Sequence, residues 1–243
     1  PRTFSSAASD VYKRQDVEGV FTADPRIVTK AKLIEEITYD EMLEMASSGA
    51  RVLMARSVEF GRRYNVPIIV KPTFSEGSGT IVKDKVMEQA IVSGVTHNDK
   101  EIKFTLFGVP DQPGIAGKVF GPLSENGVIV DMIVQNVSKE SKTDISFTAP
   151  LEQKSEVENI LENLSTELEA EGADSDPNIA RVSLIGAGMK AESGIASKMF
   201  SILGENKINI AMISTSPIRI SCVVNKDDMQ KAIDSLHKEF IEA

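Results

Sequence analysis

A chain of 243 residues with 41% apolar and 26% charged side chains holds one large domain or two to three small ones, and it is too apolar to be a disordered polymer. Aromatic residues make up only 5% and Trp is absent, so its cores must be built from Ile, Val, Leu and Met. The net charge of −9 opposes phosphate backbones and anionic lipid, so neither nucleic acid nor a membrane is an expected partner. No apolar run approaches the ~20 residues of a membrane span, and no secretory leader is legible. The single Cys cannot close an internal disulfide, which fits a cytoplasmic location.

The first fifteen residues, PRTFSSAASDVYKRQ, are small, polar and aperiodic, and they read as a tail or scar outside the fold. From residue 16 to 82 the texture is that of an αβ piece that starts abruptly. DVEGVFTADPR spaces turn residues through a short apolar segment. Thr38 and Glu41 then form a capping-box pattern ahead of Met42, Leu43, Met45 and Ala46. Helix continues or restarts through Val52, Leu53, Val58 and Tyr64 until Pro67 ends it, and Ile68-Ile69-Val70 reads as a short buried strand. Beyond a Gly/Ser-rich loop, Ile102, Phe104 and Leu106 alternate with polar residues as a half-buried strand. A helix over 114–126 and strands over 128–137 and 143–148 follow. Val157, Ile160, Leu161, Leu164 and Leu168 mark an amphipathic helix within 151–170. The cycle repeats with a strand near 180–186, a helix near 194–206 and strands near 208–214 and 218–224. A last helix carries Met229, Ala232, Ile233, Leu236 and Phe240 on one face.

That repetition is a duplication. GIAGKVFGPLSENGVIVDMI, from Gly114, aligns with GIASKMFSILGENKINIAMI, from Gly194, at one constant offset of 80 residues. Two copies of βαββα imply an α+β fold of two ferredoxin-like (βαββαβ) modules behind a piece of an α/β domain. The second copy ends in its helix and lacks a sixth element, whereas AIVSGVT at 90–96 stands as an unassigned strand before the first copy. The first module, 98–178, is therefore expected to be inserted in the second, formed by 83–97 and 179–243. Pro122 inside a helix should cost ~3 kcal/mol and kink or alter the turn near Lys118.

Four places carry candidate chemistry. In VPDQPGIA the chain passes from strand to helix at Pro113 and Gly114, leaving backbone N–H groups at the positive end of a helix dipole, where a carboxylate fits. Asp111 would pair with an ammonium group, and IVDMIVQN offers carbonyls and the Gln135 amide; the alternative is a plain capped turn. The matching junction GAGMKAESGIA is two residues longer and has Met189 and Lys190 in place of the acid, so it reads as a differently tuned site or as a structural copy. DVEGVFTADPR lacks the lysine of a P-loop and taken alone is a structural turn. His97 and His237 have no ligand-spaced partner and are expected on the solvated surface, with no metal site; Cys222, in IRISCVV, is expected to be a buried thiol.

DVEGVFTADPRIV, DEMLEMASSGARVLMARSVEF, the repeated GIAxK core and ISTSPIRIS together resemble the C-terminal half of bacterial aspartate kinases, with tandem ACT modules, from about Asp16 to the end. That family uses MgATP to phosphorylate the β-carboxylate of aspartate on the way to lysine, threonine and methionine, and its ACT modules bind end-product amino acids. The resemblance implies nucleotide-segment positions at Asp16, Phe21, Thr22, Ala23, Asp24, Pro25 and Arg26, and at Arg51, where relatives often carry Lys. It implies effector positions at Asp111, Gln112, Pro113, Gly114, Ile115, Ala116, Ile129, Val130, Asp131 and Gln135 in the first module. In the second module they are Lys190, Asn209, Ile210, Thr215 and Ser216. The lysine-glycine-glycine motif and the segments that hold aspartate and the ATP phosphates are absent from this sequence, so the chain by itself is expected to hold no cofactor and to be inactive as a kinase. The resulting expectation is a regulatory, feedback-sensing part of an aspartate kinase, binding lysine and/or threonine, dimeric through its ACT modules and able to meet a catalytic subunit. A stand-alone ACT sensor and a fragment of a bifunctional aspartate kinase–homoserine dehydrogenase are the rivals. The nucleotide segment argues against the first and the lack of a dinucleotide-binding stretch against the second.

Overall fold

The computed structural model describes residues 11–15, 18–72, 77–86, 90–137 and 141–242, and the chain divides into two compact units. One comprises the residues up to Asn98 with Arg181–Val224 and those from Asp228 on. The other comprises Asp99–Ala180 with Asn225–Asp227.

In the first unit, Val11–Gln15 (β1), Glu36–Thr38 (β2), Ile68–Pro72 (β3) and Thr80–Lys83 (β4) make a sheet in the order β1-β3-β4-β2. The expectation of a tail does not hold for residues 11–15, which pair in parallel with β3. Such pairing uses only backbone donors and acceptors, so it needs no apolar periodicity to announce it. Thr38 caps Tyr39–Ser47 (α1) with the expected box, its hydroxyl accepting from Glu41 N and the Glu41 carboxylate accepting from Thr38 N. The helix then restarts as Ala55–Tyr64 (α2), which ends on Asn65 in the left-handed conformation at φ 51°. Ile37, Met42, Met45, Val58, Val70 and Val82 form the aliphatic core beneath these helices. Residues 20–34 fold back on themselves, with Thr22 N donating to Lys32 O and Ile34 N to Val20 O. Thr80 fastens this lobe to β4, its hydroxyl accepting from Val20 N at 2.8 Å and donating to Ile34 O at 2.6 Å. Gly94–Asn98 (β5) follows.

The second unit is the inserted module: Glu101–Pro110 (β6), Ile115–Glu125 (α3), Ile133–Val137 (β7), Lys142–Pro150 (β8), Lys154–Glu167 (α4) and Gly172–Asp176 (β9). Its sheet order, β7-β8-β6-β9, is that of a ferredoxin-like fold. Phe147 is fully buried between Phe104 and Phe120, with ring centroids 5.4 and 5.5 Å away. The strand expected over 128–137 is shorter than its apolar pattern. Residues 128–132 approach β8 irregularly, through Asp131 N to Thr148 O and Thr148 N to Met132 O. β9, GADSD, has no apolar alternation to mark it in the sequence; it is an edge strand held to β6 by backbone pairing. α3 runs continuously through Pro122, which has no N–H to offer the Lys118 carbonyl.

Ile179–Ile185 (β10), Ile195–Glu205 (α5), Ile210–Ser216 (β11), Arg219–Asn225 (β12) and Met229–His237 (α6) build the second module. Its sheet order, β11-β12-β10-β5, shows β5 as the borrowed strand, antiparallel to β10. The first module is thus inserted in the second, as expected. The core gathers Val95, Val182, Leu184, Leu203, Cys222 and Ile233, and it includes Ala23 and Val28 from the N-terminal lobe. His237, expected at the surface, is fully buried. Its Nε2 meets Thr22 Oγ1 at 2.9 Å, a partner far away in sequence that no local spacing reveals, and its Nδ1 meets Glu242, five residues on, at 3.1 Å.

Candidate functional site

The helix starts of both modules share one construction. α3 and α5 each begin from a glycine in the left-handed region, Gly114 at φ 90° and Gly194 at φ 91°, and neither has a side-chain cap or an acid in its first turn. The first amides of a helix have no intrahelical acceptor, so each start is an exposed positive end, whereas α1 fills the same need with Thr38 and Glu41. In the inserted module a β-bulge at Leu106–Val109, with Gly108 at φ 60°, bends β6 into the loop. Asp144 accepts from Gly108 N at 2.9 Å, and Asp111 N donates to Ser141 O, fixing the loop backbone. Asp111, Gln112, Pro113, Gly114 and Ala116 are exposed, whereas the Ile115 side chain is 3% exposed and belongs to the core.

The expected effector residues of this module fall in two clusters. β6 ends where Val109 pairs with Thr143, which also pairs with Val137 of β7, so the 111–114 loop lies at the Gln135 end of the edge strand. Asp131 is anchored at Thr148, and Ile129 N donates to Gln153 Oε1. From Thr143 to Thr148 an antiparallel strand runs about 17 Å. Asp111–Ala116 and Gln135 therefore belong together, while Ile129, Val130 and Asp131 sit at the opposite end of β7.

The second module repeats this arrangement. Gly186 N donates to Ile218 O, so the 186–194 loop lies at the Thr215–Ser216 end of β11, and Asn209 and Ile210 lie at the other end. The two extra loop residues have a structural use. Ala187–Ala191 coils as a 3-10 turn that drives Met189 into the core and leaves Lys190 exposed.

The N-terminal lobe distributes its expected nucleotide residues unequally. Ala23 is 5% exposed within the second module's core, and Thr22 is engaged by His237 and Lys32 N and accepts at its carbonyl from Val95 N. Asp24, Pro25 and Arg26 reach the surface with Phe21 half-buried; Arg26 pairs with Asp24 at 2.7 Å and holds its carboxyl below the usual carboxylate range. Arg51 is exposed, and Asp16 lies outside the described residues. Burial pushes the Cys222 thiol up to about 12. No group of three or more potential metal ligands is found among the described residues, and no helix there is long and apolar enough to cross a membrane.

Sequence reading missed Glu41 beyond its capping role. It is 3% exposed, accepts from Ala187 N at 3.0 Å across 146 positions, and accepts from Ser93 Oγ at 2.5 Å.

Comparison with known proteins fits this architecture. Residues 6–72 match the amino acid kinase family, and residues 103–169 and 182–240 match ACT domains. The aspartate kinase of Pseudomonas putida is 46% identical over 228 residues, covering 93% of this chain and 56% of the relative. The chain thus spans about half the length of the curated relatives it matches. The ligand-free regulatory subunit of aspartate kinase from Thermus thermophilus is 37% identical with a TM-score of 0.59, covering 62% of this chain and 99% of the subunit. Aspartokinase III of E. coli, solved in complex with lysine and aspartate, is 26% identical with a TM-score of 0.76, covering 96% of this chain and 52% of that one. With kinase-domain residues leading into two nested ACT modules, and with these relatives, the chain belongs to the aspartate kinase family.

Proposed function

We propose that this chain is the amino-acid-sensing, feedback-regulatory part of an aspartate kinase, and that lysine and/or threonine binds at its ACT modules. The carrying observation is the pair of uncapped, glycine-initiated helix starts, each beside the end of an edge strand. At the first start the effector carboxylate would rest on the amides after Pro113 and its ammonium on Asp111, with Gln135 facing it. At the second, Lys190 and Thr215 replace the acid and the amide, so that site would be differently tuned. The lysine held by E. coli aspartokinase III supports this ligand class. The burial of Ala23 and Val28 in the second module's core favours a sensor built to act on a kinase over a stand-alone one.

In the complete protein MgATP would be the phosphoryl donor and aspartate the acceptor, in the cytoplasm. Of this chain's residues, Asp24, Pro25 and Arg26 stand at the surface to meet a nucleotide. Arg26 is already paired with Asp24, so the lobe offers part of a nucleotide site rather than the charge clamp that phosphoryl transfer needs. A homodimer through the ACT modules would cover β7, the segment leading into it and β11, where Ile133, Ile129 and Ile213 are 53%, 72% and 45% exposed. Titration calorimetry of the purified chain with L-lysine and with L-threonine tests the proposal. Saturable heat with at least one of them is expected, and no heat with either would overturn it.

A further inference from the structure

Three features stand outside the effector sites: a cleft between α4 and β9, the exposed Phe60–Tyr64 face of α2, and the buried Glu41 carboxylate. The third has the most complete geometry. Glu41 lies in the first turn of α1, and its two oxygens serve different parts of the chain. Oε2 accepts from Thr38 N at 3.2 Å and from Thr38 Oγ1 at 2.6 Å, closing the cap of its own helix. Oε1 accepts from Ala187 N at 3.0 Å and from Ser93 Oγ at 2.5 Å. Ala187 opens the 3-10 turn that carries Met189 and Lys190 toward the start of α5, and Ser93 directly precedes β5.

We infer that Glu41 is a positioning residue that ties the conformation of the second module's 186–194 loop to the N-terminus of helix α1 in the kinase lobe. A carboxylate is planar and rigid, so its two oxygens move together. A loop movement that withdraws Ala187 N removes a charge-assisted donor from a buried carboxylate, which then reorients and loosens its grip on Thr38. The loop has little freedom to shift without this effect. A Cβ on Gly186 would stand 2.2 Å from Ile91 O and one on Gly188 2.8 Å from Ala90 O, so the turn sits hard against the connection leading to Ser93. Two further contacts keep α1 on this module, Arg219 to Glu44 at 3.1 Å and Arg181 to the Ser47 carbonyl at 3.1 Å. Those lie in the last turn of α1, whereas Glu41 joins the loop directly to the cap. The inference rests on the proposed sensing role for its use, but the joint itself can be tested without any ligand.

The experiment is site-resolved amide hydrogen exchange on the purified 243-residue chain. Ala187→Pro deletes the donor at the first position of a helical turn, where proline is tolerated. It should speed exchange of the Thr38 and Glu41 amides about tenfold while leaving the β6–β8 amides unchanged. Ala187→Gly retains the N–H and should match the parent chain. Ser93→Ala, which deletes the other donor to Oε1, should act in the same direction and serves if Ala187→Pro does not fold. Glu44→Gln breaks a contact of the same helix with the same module and should leave the cap amides alone. Unchanged cap exchange in Ala187→Pro or Ser93→Ala, or equal acceleration in Glu44→Gln, overturns the inference. In a second arm, L-lysine or L-threonine is added. A ligand that raises the melting temperature but leaves the cap amides unchanged refutes the coupling and spares the sensing role; failure of both amino acids to bind refutes the sensing role, and the ligand-free variants still judge the joint.

Discussion

Replacing Asp111 with Ala probes the proposed effector site with the least structural disturbance. The side chain is exposed, and the backbone N–H that fixes the loop, donating to Ser141 O, is retained. The ligand-free melting point should therefore change by no more than the ±0.5 kcal/mol of an ordinary surface substitution. Bound effector is different. At ~100 times its dissociation constant it stabilises the native chain by ~2.7 kcal/mol. If the inserted module unfolds as its own unit, that is a rise of about 10–20 °C; if the whole chain melts together, about 5–11 °C. Removing the ammonium's charged partner should cost about 2 kcal/mol of binding, a roughly thirtyfold weaker complex. The same ligand concentration is then only ~3 times the new dissociation constant, and the stabilisation falls to about 0.8 kcal/mol. Differential scanning fluorimetry with L-lysine and L-threonine reads this directly, the shift dropping to under a third of the parent value. A variant that retains the full shift places the ammonium elsewhere, and a parent chain that shifts with neither amino acid refutes the site.

Further outcomes are expected for Cys222 and for the dimer. Cys222, whose thiol is pushed up to about 12 by burial, should ignore thiol reagents at pH 8 until the chain unfolds. Because its folded value is raised, the stability it contributes is full below about pH 9 and is lost as pH climbs from there toward 12, so a unfolding midpoint that improves with pH across that window would contradict its burial. Light scattering should report a dimer, and Ile133→Lys should weaken it by placing a charge on the exposed edge of β7; a monomer at high concentration, with and without lysine or threonine, would refute the dimer.

Much of this molecule is written in its sequence because the signals are local or periodic. The capping box at Thr38–Glu41 names a helix start from two residues three apart. The repeat beginning at Gly114 and Gly194 announces two modules, since a constant offset over twenty residues preserves every turn and burial position at once. The borrowed strand was legible because AIVSGVT at 90–96 has strand texture that the first copy does not use, and pairing of β5 with β10 completes the second sheet.

What tertiary structure decided depends on partners that no spacing encodes. GADSD forms β9 because β6 offers an unpaired edge, and backbone pairing is indifferent to polar side chains. His237 is polar in sequence yet buried, since Thr22 and Glu242 satisfy both ring nitrogens. The separation of Ile129–Asp131 from Asp111–Ala116 along β7 is set by register, which only pairing with β8 fixes. Glu41 looked like a capping residue and nothing more. Its second role exists because a buried carboxylate must collect donors wherever the fold supplies them, and here the fold brings Ala187 from 146 residues away.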